Sequence, residues 1–181
     1  MIKKLFIAIL LIFFAQQMNA QMVAVKSDFV KLGAMVPNLG VELVVGNKTT
    51  LGIDIMGAHD TWWTEYSRLI AISPNIKYWF SGRPMTRQFV GISAHLANYN
   101  LYIGNEVYQG NSASVGIIGG HVFNLSSRWN VEFCGGLSLM GYRQKYYYSG
   151  DNYDNGYKDT ANDWGVMLFP KLELSVSYII N

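Results

Sequence analysis

Cysteine, proline and charge are all scarce in this sequence. Among 181 residues there is 1 Cys and there are 4 Pro, and only 14% are charged. A single Cys excludes an internal disulfide framework. The charged fraction is far below the roughly 25% usual in soluble domains. Half of the residues are apolar, which excludes a disordered chain. Beyond the first twenty residues, no stretch reaches the roughly 18 consecutive apolar residues of a membrane-spanning helix. What the chain has in quantity is 12 Tyr, 9 Phe, 5 Trp and 18 Gly. That mixture points to a β-rich protein that meets a non-aqueous surface.

Residues 1–20 carry Lys3 and Lys4, then an unbroken apolar run from Leu5 to Ala15, then Met18-Asn19-Ala20. A basic start, a short apolar core and a small residue at the end are the order of a secretory signal peptide. The run is too short to span a bilayer. Cleavage is expected after Ala20, although Met18 is bulky for its place, and the mature domain is then 21–181. Without Lys3 and Lys4, basic and acidic residues balance at twelve each. No charge-based case for nucleic-acid binding remains.

The rest of the chain alternates at period two, the mark of strands with two chemically different faces. In 171–180, Leu172, Leu174, Val176, Tyr178 and Ile180 oppose Lys171, Glu173, Ser175 and Ser177. In 69–80, Ile70, Ile72, Ile76, Tyr78 and Phe80 oppose Ser73, Asn75 and Lys77. In 128–139, Trp129, Val131, Phe133, Leu137 and Leu139 oppose Asn130, Glu132, Cys134 and Ser138. The same reading predicts eight strands, at 22–34, 38–46, 50–58, 68–80, 88–99, 112–124, 128–147 and 164–180. Gaps after the second, fourth and sixth strands are short. Those after the third, fifth and seventh, at 59–67, 100–111 and 148–163, are longer. Short turns at one end and long loops at the other fit an outer-membrane barrel.

Alternation alone does not choose between that barrel and a soluble sandwich or lipocalin-like carrier, whose apolar face points inward. Two features favour the inverted arrangement. The polar face is rich in Gly, Ser and Asn but lacks the dense charge of a solvated surface. Glu42, Asp54, Lys77, His95, Glu132, Lys171 and Glu173 are therefore expected inside a narrow lumen, where the charges neutralise one another. Aromatics also gather near strand ends, and Trp62, Trp63, Tyr78, Trp79, Trp129, Tyr147, Trp164 and Tyr178 are expected to form girdles at the two interfaces. The fold expected is all-β: an eight-stranded antiparallel up-and-down transmembrane barrel, both termini periplasmic.

Several stretches resemble one known family. They are Pro37-Asn38-Leu39-Gly40-Val41-Glu42 with Leu51-Gly52-Ile53-Asp54, Ser73-Pro74-Asn75-Ile76-Lys77-Tyr78-Trp79, Phe89-Val90-Gly91 with Ala94-His95, and Ser127-Arg128-Trp129-Asn130-Val131-Glu132. In this order they resemble the outer-membrane proteins of Bacteroides-lineage bacteria grouped as domain of unknown function 3575. The resemblance implies an eight-stranded barrel with no established activity, some relatives being linked to fimbrial assembly. Asn75 stands where members often carry Glu.

Catalytic signals are thin. Eight strands enclose a lumen that side chains fill, which disfavours a general porin. His95 with Ser93 on one face, His121, and His59 with Asp60 are the candidates for a rim-located lipid-modifying hydrolase, and none brings a third member. The loop 150–159 is rich in Asp and Asn but lacks the ligand spacing of an EF-hand. Its Tyr153, Asp154 and Tyr157 suit contact with a partner. Cys134 is expected in the lumen as an inert buried thiol. No catalytic residue, metal or cofactor is assigned. The expected role is a non-enzymatic surface barrel in contact with outer-membrane lipid, presenting its outer loops to other envelope proteins.

Overall fold

The computed structural model describes residues 22–61, 64–148 and 161–180. Eight antiparallel strands follow one another around a closed ring: β1 Val23–Asp28, β2 Asn38–Gly46, β3 Thr49–Thr61, β4 Thr64–Trp79, β5 Arg87–Ile103, β6 Glu106–Asn124, β7 Trp129–Tyr148 and β8 Ala161–Ile180. β1 closes the ring on β8, with Ala24 opposite Ile179. The ladder can be followed from Ala24 through Glu42, Gly52, Asn75, Ser93, Gly116 and Ser138 to Phe169. It comes back to β8 ten residues away from Ile179, where it began. With about 3.3 Å per residue and 4.8 Å between strands, such a stagger tilts the strands by about 40°.

The strands share one set of faces. The outer face carries Leu39, Ile53, Ile70, Ile76, Val90, Ile92, Val115, Ile117, Leu137, Leu139, Leu168 and Leu172, all substantially exposed. The inner face carries Lys26, Glu42, Thr50, Asn75, Lys77, Ser93, Asn130, Glu132 and Glu173, all buried. This is a soluble protein's burial turned inside out. Toward the end where β1 starts and β8 finishes (the basal end), the apolar face finishes in Tyr78, Phe80, Phe123, Trp129 and Tyr178. Toward the opposite, distal end it gives way to Arg68, Asn98, Asn111 and Arg143. The steps from Ala113 to Phe123 along tilted β6 measure about 25 Å of barrel height.

Two expectations about the strands fail. The first strand was expected to run to residue 34, but it stops at Asp28, and α1 Phe29–Gly33 follows. Asp28 Oδ1 accepts the Val30 amide at 2.9 Å, an N-cap bond that turns the chain out of the sheet. Asn38 then clamps the connection. Its Oδ1 accepts the Asp28 amide at 2.7 Å and its Nδ2 donates to the Asp28 and Val36 carbonyls. Second, the stretches 59–67 and 100–111, expected as loops, are mostly strand. β5 runs to Ile103 and turns back at Glu106 over Gly104-Asn105, with Gly104 at φ +64°. A two-residue turn with positive φ matches the twist of a hairpin. Main-chain bonds extend these hairpins where neither face is strongly apolar, so side-chain alternation does not report them.

Candidate functional site

Seen from the basal end, the lumen is first closed and then opens. Trp79, Phe89, Met85, Ile118, Val122, Cys134, Ala24 and Ile179 form one buried apolar cluster. The Trp79 and Phe89 rings lie 4.9 Å apart at 48°. Met85 joins them from the β4–β5 turn. These side chains make a floor across the barrel.

Above the floor is an ionic layer. Lys77, only 1% exposed, points its ammonium at Glu42 Oε2 (2.9 Å) and at both oxygens of Glu132 (2.6 and 2.7 Å). Thr50 donates its hydroxyl to Glu42, and the Trp79 indole N–H donates to Thr50 Oγ1 at 3.0 Å. The ammonium also sits 4.6 Å from the centre of the Phe89 ring. Beside this group, Lys26 pairs with Asp54 at 3.1 Å, and the Asn75 amide donates to the same carboxylate at 3.0 Å. Each of these carboxylates thus meets a cation, and Glu42 and Asp54 a further neutral donor as well, the condition under which buried charge is tolerated.

A second cluster lies higher, against α1. Lys31 binds Glu173 and also Asp28, the latter at 3.0 Å. Lys171 approaches the other oxygen of Glu173 at 3.4 Å. Ser73, Ser93, His95, Ser114 and Ser138 share with Lys171 and Glu173 a small cavity of about 160 Å³. Ser73 Oγ and His95 Nδ1 are 2.6 Å apart. Above this the lumen widens into a cavity of about 1030 Å³, its wall formed by small inward residues such as Ala71, Ala97, Ser112 and Gly165.

All seven residues expected in the lumen, Glu42, Asp54, Lys77, His95, Glu132, Lys171 and Glu173, face inward and fall into these two layers. Four partners were not foreseen: Lys26, Asp28, Lys31 and Thr50. Lys31 reaches the lumen from the helix that interrupts the first strand. Sequence reasoning paired Ser93 with His95. The hydroxyl that meets the imidazole is instead that of Ser73, one strand away. His121 faces outward, its ring 4.5 Å from Phe123, and His59 pairs with Asp60 at 2.9 Å on an exposed surface. Cys134 is buried in the floor with a free thiol.

The aromatic girdle needs two corrections. Trp79 was expected on the outer face, but it is fully buried in the lumen floor. The period of two puts it on the opposite side from Tyr78, and its neighbours Lys77 and Asn75 already point inward. Tyr147 stands near the distal tip opposite Val107, beyond Arg143 and so past the end of the apolar band. Trp129 and Tyr178 do meet on the outer face, ring centres 5.0 Å apart, and Tyr78 packs edge-on against Phe80 at 5.7 Å. Trp164 is 78% exposed at the distal edge of the band. Trp62, Trp63, Tyr153, Asp154 and Tyr157 lie outside the described residues.

Beyond the band, the distal ends of β6 and β7 carry a cluster of tyrosines. Glu106 accepts from the hydroxyls of Tyr108 and Tyr146 at 2.7 Å each, and the Tyr146 ring contacts those of Tyr108 and Tyr148.

Comparison with curated proteins and with solved structures gave no match in either. A family model described as "protein of unknown function (DUF3575)" matches residues 5–180. The chain, with its charged lumen and apolar outer wall, belongs to the DUF3575 family.

Proposed function

We propose that this chain is an integral β-barrel of a Gram-negative outer membrane, with β1 starting and β8 ending on the periplasmic side. It acts there as a non-enzymatic scaffold that presents its distal hairpins to other envelope or surface components, surface or fimbrial assembly among them. The observation that carries this reading is the inversion of burial. Buried Lys77 and Glu132 lie inside, while Ile92, Ile117 and Leu139, each at least 60% exposed, lie outside. An exposed apolar belt about 25 Å tall matches the hydrocarbon thickness that such barrels cross. Its lower rim of Tyr78, Phe80, Trp129 and Tyr178 suits an interface between hydrocarbon and water. A lipocalin-like carrier would require the reverse order of faces.

The floor of Trp79, Phe89 and Met85, with the ion pairs above it, argues against an aqueous pore. Presentation falls to the tyrosine-lined ends of β6 and β7 and to the segment between β7 and β8. A lipid-modifying hydrolase is the second reading, and the contact that favours it is Ser73 Oγ on His95 Nδ1.

Electrophoresis of the outer-membrane fraction, boiled and unboiled, tests the barrel. The unboiled protein should migrate faster, and it should conduct no ions in planar bilayers. A soluble periplasmic protein indifferent to heating would refute the membrane reading. Steady channel currents would refute the closed floor. Altered lipid acylation on overexpression, abolished by His95→Ala, would transfer the case to the hydrolase.

A further inference from the structure

The wall of this barrel is not equally tall all round. β1 has 6 residues and β2 has 9, whereas β6, β7 and β8 have 19 or 20. β8 pairs with β1 only through Ser175–Ile180, and β3 pairs with β2 only up to Met56. Among the described residues, no strand therefore continues β1 or β2 between the edge of β8 over Ala161–Leu174 and the edge of β3 over Gly57–Thr61. Among the described residues the continuations of both β1 and β2 are missing there, which leaves a seam in the side of the barrel. Leu168, Leu172 and Leu174, outward on one side of it, belong to the apolar belt, as does Ile55, which pairs with Leu39 just below its β3 edge.

The seam is built rather than frayed. The Leu174 amide points into it and donates to Asp28 Oδ1 at 3.3 Å. The Ile179 amide points the other way, to the Arg128 carbonyl on the β7 side. Amides along a strand alternate in direction, so the even-numbered positions of β8 face the seam. One of them is Pro170, which has no N–H to offer. A proline on an unpaired edge discourages another strand from docking there. At the foot of the seam lies α1, packed against β8. Lys31 ties it inward to Glu173, while Phe29, Val30, Leu32 and Met35 stay exposed on its outer side.

Behind the seam is the cavity of about 1030 Å³, at the upper end of ligand-sized pockets. Met167 and Phe169 point inward on β8 next to it, yet they remain 46% and 40% exposed. An outer groove of about 530 Å³, lined by Leu39, Val41, Ile53, Ile55 and Ile70, runs along β2 to β4 below the seam. Val166 and Trp164, outward on the β8 edge of the seam, also border the inner cavity, so on that side the apolar surface continues from the belt around the edge to the inside.

We propose that the seam is a lateral doorway through which one hydrocarbon chain of a surrounding membrane lipid enters the upper lumen, with α1 as its sill. This rests on the membrane reading above. The β8 edge from Val166 to Leu174 belongs to the apolar belt and leads into the cavity, and this commits the occupant to a lipid chain. Pro170 argues against an added protein strand.

The test is photolabelling of the full chain refolded into phosphatidylethanolamine vesicles, using a phosphatidylethanolamine with a diazirine in one acyl chain. Mass spectrometry should place adducts on inward Met167, Phe169 or Ala97 as well as on outward Ile117 and Leu137. Ala97→Phe, which fills the cavity, should lower the inward labelling at least tenfold and leave the outward labelling unchanged. If that variant does not give a heat-modifiable band, Ser112→Leu fills the same space from β6. Adducts on outward residues only would overturn the doorway and leave the membrane reading intact. Inward labelling unmoved by the filling variants would also overturn it. A chain with no adducts at either set of positions would overturn both readings. Capture of a second polypeptide in place of lipid by benzoylphenylalanine at Leu172 would give the seam to a protein partner and overturn the proposal.

Discussion

Removing the ammonium of Lys77 tests the charged lumen most directly. In Lys77→Met the stem of the side chain is kept while the carboxylates of Glu42 and Glu132 lose the cation they share. At an effective dielectric of about 20, each contact near 2.8 Å is worth about 6 kcal/mol of attraction before desolvation. Taking the ions out of water costs several kcal/mol apiece, so the intact trio is close to break-even. The broken trio is not: two carboxylates remain 3% and 5% exposed with no cation between them. Breaking a buried pair of this kind costs about 3–5 kcal/mol. Urea unfolding of the vesicle-embedded barrel, followed by tryptophan fluorescence, reads that loss as a lower midpoint. The triple variant Glu42→Gln, Lys77→Met, Glu132→Gln removes all three charges and should return to within about 2 kcal/mol of the native barrel. A loss below about 1 kcal/mol in Lys77→Met, the range of a solvent-exposed pair, would refute the reasoning. So would a triple variant no more stable than the single one.

Other perturbations follow from the same contacts. Trp79→Phe keeps a ring in the floor but leaves Thr50 without its indole donor, and should lower stability by about 1–2 kcal/mol in the same urea assay. Gly116→Ala places a methyl against the Leu137 carbonyl and the Ser138 backbone, whereas a Cβ at Gly135 meets nothing nearer than 4.0 Å. The first should destabilise by about 1–3 kcal/mol and the second by under about 0.5 kcal/mol. Equal midpoints would contradict the close approach of β6 and β7. Asp28→Ala removes the cap of α1 and the acceptor of the Leu174 amide. Hydrogen exchange at Leu174 should accelerate about tenfold, equivalent to about 1.4 kcal/mol, while amides in the β6–β7 ladder keep their protection.

Much of the lumen could be read from the sequence because one rule governs it. A period of two assigns every residue of a strand to a face as soon as one residue is placed. Lys77, Glu132 and Glu173 follow from their apolar neighbours alone. Trp79 was misplaced where the tendency of aromatics to gather at interfaces was preferred to that period. The short loop between β5 and β6 had its own signal, Gly104-Asn105, a pair that favours the positive φ of a tight hairpin turn. Lys31 was hidden because Phe29 and Val30 continue the apolar character of β1, while the N-cap at Asp28 is a single short-range bond. The pairing of His95 with Ser73 joins neighbouring strands, and no local pattern encodes it.

The sequence by itself determined the class of fold, the number of strands and the chemical character of each face, since these are local and periodic properties. Ring closure with a stagger of ten residues depends on the registers of all eight strands at once. Those registers decide which carboxylate meets which ammonium: Lys77 reaches Glu132 from a strand 55 residues away. They also leave β8 taller than β1 and so create the seam. A face follows from neighbours two residues apart, but a contact across the lumen and a gap in the wall exist only after the sheet has closed.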